Sequence, residues 1–386
     1  SLDISRGRLP DRVEFMRILD LCAAFKINTL LIYIEDTYAF SHIPRAALRG
    51  YALSAPGLAE LAVEARRRSI DLVPVVETLG HQERLLAHPS MRSFAERSAS
   101  RSAWQQFILD ARAWLERRYD PSTLAESGRT EASSMFATTE PRTQSLLCSM
   151  VDDVLASSGS KNVHIGCDEP AELGQGASAA ACESRGAGAV FAEHVRVLSE
   201  HARRRWGATT WIFDDFVLAH PEILEQLPPE VVLVDWHYDP EAAFGSLDSL
   251  MSGRPRQVVT SAGLWNWRAG YPDYSRSLPS ILSATSAARS HGCLGSMLAS
   301  WGDGGAEDLF GNDVLGLAYF ASCAWSSEAA DPGTFLHRYC RLRFGETGDS
   351  LVPLYRALAD LGFPNGGTNQ RLIDRPVIVR RRTPLW

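Results

Sequence analysis

The chain has 386 residues, 45% of them hydrophobic and 22% charged, which excludes a disordered, collagen-like or low-complexity polymer. Its 39 Lys and Arg stand against 46 Asp and Glu, and the net charge of −7 argues against a nucleic-acid partner. No apolar run reaches the ~18 residues that span a bilayer, and the seven scattered cysteines form no CxxC pair. A reduced, cytoplasmic protein with no membrane association is therefore expected.

Short apolar runs and amphipathic stretches alternate along the chain. The pattern predicts a strand at Leu2–Ser5 and a helix at Asp11–Phe25, then a strand at Thr29–Ile34 and a helix at Gly57–Arg68. A third strand at Asp71–Val76 precedes two predicted helices, Ser102–Arg118 and Thr143–Ala156. Next come strand Val163–Gly166, helix Ala189–Trp206, and strands Thr210–Phe213 and Val231–Asp235. Helix Pro240–Ser252, strand Gln257–Ser261, helix Leu278–Ser290, strand Gly295–Ala299 and helix Asp313–Trp325 complete the repeat.

Most of these strands are Val/Ile/Leu-rich without alternation, which suits strands buried on both faces. Eight strands interleaved with helices predict an α/β fold of the closed kind, a (β/α)8 TIM barrel. The runner-up, an open doubly wound sheet, lacks its GxGxxG after the first strand. Residues 90–140 are too long for an ordinary connection and read as an inserted helix plus a flexible loop. Two further helices are predicted at Gly333–Phe344 and Ser350–Leu361, before a Gly/Pro/Arg-rich tail at 362–386. Residues 1–330 are thus read as the catalytic barrel and 331–386 as a C-terminal helical extension and tail.

In such a barrel, catalytic groups stand at the C-terminal ends of the strands. The first strand leads into Asp3 and Arg6, the second into Glu35-Asp36-Thr37-Tyr38, the third into Glu77-Thr78-Leu79-Gly80-His81. The fourth ends in Cys167-Asp168-Glu169 and the fifth in Asp214-Asp215. Trp236-His237-Tyr238, Trp265-Asn266-Trp267 and Trp301-Gly302-Asp303 close the remaining three. Carboxylates, a histidine and several aromatics converging on one mouth suit carbohydrate chemistry. Aromatic faces stack on sugar C–H surfaces, and a carboxylic acid protonates the glycosidic oxygen. HExxH, GxxxxGK[ST] and GxSxG are all absent, so neither a metal, a cofactor nor a serine nucleophile is expected.

Asp168 and Glu169 are adjacent, and neighbours on a strand face opposite ways. They can share one site only where the strand breaks, and Pro170 follows at once. Adjacent carboxylates do not suit an acid and a protein nucleophile placed ~5–5.5 Å apart across the bond. The pair suggests instead that the substrate supplies its own nucleophile.

His164-Ile165-Gly166-Cys167-Asp168-Glu169 resembles the H-x-G-x-D-E motif of the family 20 glycoside hydrolases, the β-N-acetylhexosaminidases. The likeness extends from Asp3-Ile4-Ser5-Arg6 through Glu35–Tyr38, Leu79–His81, Leu173–Gly176 and the three Trp-containing strand ends, to about Trp325. These motifs resemble a single-barrel branch without the N-terminal accessory domain, similar to hexosaminidases of the D type. The resemblance implies exo-acting hydrolysis of terminal β-linked GlcNAc or GalNAc, with retention through an oxazolinium intermediate formed by the substrate's acetamide. It implies Glu169 as general acid and base, Asp168 as stabiliser of the acetamide, and Tyr238 as its hydrogen-bond donor. Trp211, Phe213, Trp236, Trp265, Trp267 and Trp301 are the implied substrate-binding aromatics. Arg6 and Asp303 would grip the outer hydroxyls, and Asp36, Glu77 and His81 would form a supporting network beside the acid. Burial and Asp168 are expected to raise Glu169, leaving Asp168 ionised.

Phe213 stands where many relatives carry tryptophan, and Trp211 compensates only if the register turns it into the pocket. Several residues have plainer readings: His164 and Cys167 as packed core, Glu307 as a helix-start residue, and Arg380-Arg381-Arg382 as a solvated tail. The expected partner is a β-linked N-acetylhexosaminide oligosaccharide or glycoconjugate, bound by a monomer or homodimer. Alternatives are a lacto-N-biosidase-like or other acetamido-assisted glycosidase, or a non-catalytic sugar-binding barrel.

Overall fold

Eight strands pair in parallel, each with its successor in sequence. In the computed structural model they are β1 (Leu2–Asp3), β2 (Thr29–Ile34), β3 (Asp71–Val76), β4 (Asn162–His164), β5 (Thr209–Phe213), β6 (Val232–Trp236), β7 (Val258–Gly263) and β8 (Gly295–Ala299). The structure describes residues 1–6, 9–97, 133–240, 243–252, 256–267, 270–303, 308–326 and 331–359. The ring closes between its ends: the Asp3 amide donates to the Ser300 carbonyl at 3.1 Å, and the Ser300 amide to the Ser1 carbonyl at 3.0 Å. This is the predicted (β/α)8 barrel.

Helices α1 (Arg12–Ala24), α2 (Ala55–Arg67), α3 (Glu83–Ala87), α4 (Pro141–Ser158), α5 (Ala179–Arg185) and α6 (Ala187–Trp206) lie in the first half of the chain. The second half adds α7 (Asp215–Ala219), α8 (Ser246–Leu250), α9 (Tyr274–His291), α10 (Phe310–Trp325), α11 (Pro332–Phe344) and α12 (Gly348–Ala359). Asp11 and Ser54 cap α1 and α2, each accepting a backbone N–H of the first turn. Gly159 and Gly207, both in the left-handed region, end α4 and α6. Beyond the barrel, α11 docks on α10 through Tyr319 and Phe335, whose rings lie 5.0 Å apart.

β2, β3 and β8 have the predicted bounds. β4 stops two residues early because Gly166 and Cys167 leave the extended region, with φ of 72° and 80°. The helix expected over Pro240–Ser252 shrinks to Ser246–Leu250. Phe244, at φ 48°, breaks helical geometry before it. The helix expected at Ser102–Arg118, the tail at 362–386 with its three arginines, and Glu307 lie outside the described residues.

Inside the barrel, positions two apart on a strand share a face. Leu31 and Tyr33, Val73 and Val75, Trp211 and Phe213, and Val232 and Val234 all point inward and form one buried cluster. At the end away from the strand C-termini, a cavity of about 700 Å³ is lined in part by Leu31, Trp211, Val232 and Met297. Among the described residues no helix is long and apolar enough to cross a membrane.

Candidate active site

The end of β4 solves the problem of two adjacent carboxylates. Gly166, Cys167 and Glu169 all have positive φ (72°, 80° and 47°), so the chain twists out of the sheet. Such conformations cost roughly 1–3 kcal/mol each for non-glycine residues and persist only where neighbours enforce them. Here the neighbours are plain. The Thr78 hydroxyl donates to the Ile165 carbonyl at 2.7 Å, and Nδ1 of His164 accepts the Gly166 amide at 2.9 Å. The Asp215 carboxylate accepts the Glu169 amide at 2.9 Å. Position 166 must be glycine, because a Cβ there would overlap the Glu77 carboxyl. His164 is buried against Phe213, and burial lowers its pKa to about 3, so the ring is neutral.

The two carboxylates end in different surroundings. Asp168 has a side chain 14% exposed and lies 3.1 Å from Nε2 of His81. Burial opposes its charge, but His81 outweighs burial and holds it below the usual carboxylate range. Glu169 is not buried as expected: its side chain is 62% exposed and reaches His81 only at 3.5 Å. His81 itself sits at φ 54°. Burial would lower its pKa, yet the Asp168 carboxylate raises it well above the ordinary imidazole value. Arg6, 3.3 Å from Nδ1, pulls the other way, since it can donate there only to a neutral ring.

Of the expected supporting network, only His81 touches the pair. Glu77 is fully buried, and neither of its oxygens has a hydrogen-bond partner among the described residues. Burial, then Asp168, pushes it far above the carboxylate range, so it is a neutral acid beneath the site. Asp36 departs from the expectation altogether. It pairs with Arg49 at 3.2 Å and with Arg84, because it follows the inward-facing Glu35 and points away from the mouth.

Arg6 anchors the opposite rim. Its guanidinium pairs with Asp303 and lies 2.9 Å from Glu35 and 3.5 Å from the Tyr33 hydroxyl. Burial pushes Glu35 up to about 7 against the pull of Arg6. Asp3 is buried and accepts the Gly302 amide at 2.9 Å, fixing the turn before Asp303. Asp3 and Glu35 stand among the strand-end residues expected at the mouth but carried no predicted role, and Tyr33 was not singled out. The alternation Leu31, Tyr33, Glu35 was the signal that could have found two of them.

The aromatics form one wall. Tyr238 accepts the indole N–H of Trp301 at 2.9 Å, leaving its own hydroxyl proton to donate. Trp236 and Trp267 flank it at 5.2 Å and 5.4 Å between ring centres. Gly263 makes this possible, since a Cβ there would come within 2.9 Å of both Tyr238 and Trp267. Trp265 lies 4.7 Å from Trp267 and donates to the Tyr238 carbonyl at 2.6 Å, so it holds the wall from behind. Phe213 is 1% exposed and lies under Trp301 at 6.1 Å. Trp211 is not in the wall. Its register turns it inward but one step lower, where it donates to Asn162 at the start of β4. Asp215, expected at a strand end but given no role there, spans both halves of the site, accepting Glu169 through one oxygen and the Trp236 indole through the other at 3.4 Å. Burial pushes it up to about 6.

No family model matches the chain. It is similar to human hexosaminidase D, with 26% identity over 238 residues that cover 59% of this chain and 42% of that protein. It is also similar to bovine hexosaminidase D, with 24% identity and 60% of each chain covered. The chain therefore spans between two-fifths and three-fifths of the length of these relatives. The Flavobacterium johnsoniae chitobiase, a family 20 structure, superposes with a TM-score of 0.62 at 18% identity over 92% of this chain and 51% of that one. The shared element there is the fold.

Proposed function

We propose that this chain, a relative of hexosaminidase D built on the barrel of the family 20 glycoside hydrolases, is an exo-acting β-N-acetylhexosaminidase. The observation that carries this reading is the unequal pair at the end of β4. Asp168 is sheltered and held ionised by His81, whereas Glu169 projects into the open mouth. Two carboxylates in unlike surroundings are what acid catalysis with charge stabilisation needs.

In this reading a terminal β-linked GlcNAc or GalNAc lies against Trp301, Trp236 and Trp267. Arg6 and Asp303 take its outer hydroxyls. Tyr238 donates to the acetamide carbonyl, and Asp168 accepts the acetamide N–H. The carbonyl oxygen attacks C1 while Glu169 protonates the departing glycosidic oxygen. The oxazolinium cation that forms is balanced by Asp168. Glu169, now a carboxylate, takes a proton from the water that opens the ring, and the configuration at C1 is retained. The sugar itself must supply the desolvation that a general acid needs, since Glu169 stands in water before it binds. Residues 1–330 serve as the catalytic unit. All seven cysteines carry free thiols, which supports a reducing, cytoplasmic setting.

The test is turnover of the 4-nitrophenyl β-glycosides of GlcNAc, GalNAc and glucose. The acetamido sugars should be hydrolysed and the glucoside should not, and GlcNAc-thiazoline should compete tightly. Rapid cleavage of the glucoside, or a trapped sugar–enzyme ester, would refute the proposal.

A further inference from the structure

Glu169, the proposed acid, makes few contacts of its own. Its side chain is 62% exposed, and the nearest charged group, His81, is 3.5 Å away and closer to Asp168. Among the described residues, that long contact to His81 is the one side-chain hold on its carboxyl, so its direction depends chiefly on the backbone. That backbone is held in a conformation that non-glycine residues rarely adopt, at φ 47°, directly before Pro170. Its amide proton goes to a single acceptor, Oδ2 of Asp215, at 2.9 Å. The other oxygen of that carboxylate accepts the Trp236 indole N–H at 3.4 Å. Asp215 opens α7, two residues past the end of β5, so one side chain ties the acid's main chain to the aromatic wall across a strand boundary.

We propose that Asp215 is a positioning residue, which sets the direction of the Glu169 carboxyl relative to the leaving oxygen by fixing the Glu169 amide against Trp236. The inference rests on the reading of Glu169 as general acid. It makes no contact with the reacting atoms a requirement. It does require that loss of Asp215 imitate loss of the acid and not loss of Asp168.

The experiment compares Asp215→Ala and Asp215→Asn with Glu169→Gln on two substrates, 4-nitrophenyl β-GlcNAc and N,N′-diacetylchitobiose. The first leaving group departs with little protonation and the second does not. Asp215→Ala should lower kcat/KM on the disaccharide by ~10–100-fold, since misplacing a catalytic group by about 1 Å costs that order. On the aryl glycoside the loss should stay within ~3-fold. Asp215→Asn keeps one oxygen to accept the Glu169 amide and should fall between the native protein and Asp215→Ala. Unchanged binding of GlcNAc-thiazoline would confirm that the wall and the fold are intact in both variants. Equal slowing on both substrates, or no slowing, would overturn the inference. If Asp215→Ala does not fold, Asp215→Asn decides by the same ratio. If the native protein hydrolyses neither substrate, the reading of Glu169 as acid fails first and takes this inference with it.

Discussion

The two ends of the barrel are built from the same strands and could hardly differ more. At the C-terminal end stand His81, Cys167, Glu169 and Trp265, all non-glycine residues with positive φ. Beside them lie buried acids whose charge is opposed by burial, such as Glu77 and Glu35. At the other end, Leu31, Val73 and Val232 pack around a tryptophan whose one polar atom is satisfied by Asn162. Strained turns and buried acids gather at the mouth, although Lys26 and Ser69 also take positive φ just before β2 and β3, and apolar packing dominates the other end. The division suggests that the mouth is held in an unfavourable state by stability generated elsewhere.

Four substitutions would break or sharpen that contrast. The largest effect is expected at the mouth. Asp168→Asn should slow both aryl glycosides and disaccharides by ~10²-fold or more, because the charge on the acetamide forms whatever group leaves. A loss confined to poor leaving groups would reverse the roles given to Asp168 and Glu169. Next, Arg6→Ala should lower kcat/KM by ~10–100-fold while leaving the melting temperature within a few degrees of native. An unchanged kcat/KM would remove Arg6 from the sugar site.

At the far end the signs should invert. Trp211→Phe should cost about 1–3 kcal/mol of stability through a larger void and an unpaired Asn162, measured by urea unfolding. Its kcat/KM should remain within about twofold of native, and a catalytic loss without destabilisation would return Trp211 to the substrate site. The smallest effect concerns acid. His194 is buried beside Thr78, and burial lowers its pKa to about 4. Between about pH 6.5 and pH 4 the unfolded chain takes up a proton that the folded chain does not, so stability falls as pH falls through that window. His194→Gln removes this one contribution, of at most about 1.4 kcal/mol per pH unit. The stability gap between native and variant should thus shrink on acidification, and parallel pH curves would show that His194 is not held neutral.

Much of the architecture was legible because strands buried on both faces read as uninterrupted apolar runs. Thr29–Ile34, Asp71–Val76 and Gly295–Ala299 have no polar group in their interiors except Ser296 and the Tyr33 hydroxyl, and their bounds agree with the sequence. The Asp168-Glu169 pair was legible too, since Pro170 marks where alternation must end. What was hidden depended on register. Whether Glu35 or Asp36 enters the site is decided by which of two neighbours shares a face with Tyr33, and motif spacing alone does not say. Trp211 failed for the same reason: it faces inward like Phe213, yet two residues along a strand is about 6–7 Å of depth, enough to leave the mouth. Asp215 was legible as a strand-end carboxylate, but its role was not, because its partner is a backbone amide and no residue type signals that.

The grip of Arg6 on Asp303 joins residues 297 positions apart. The Gly302 amide on Asp3 and the β1–β8 seam span nearly the same distance. A ribosome making roughly 5–20 residues per second needs about 15–60 s to add the intervening chain. Throughout that time Arg6 exists without its partner and β1 without its second neighbour, whereas β2 and β3 can already pair. The proposed sugar site is therefore among the last parts of the molecule to form. A nascent chain released before the eighth strand would carry an intact Asp168-Glu169 sequence and no closed site in which to use it.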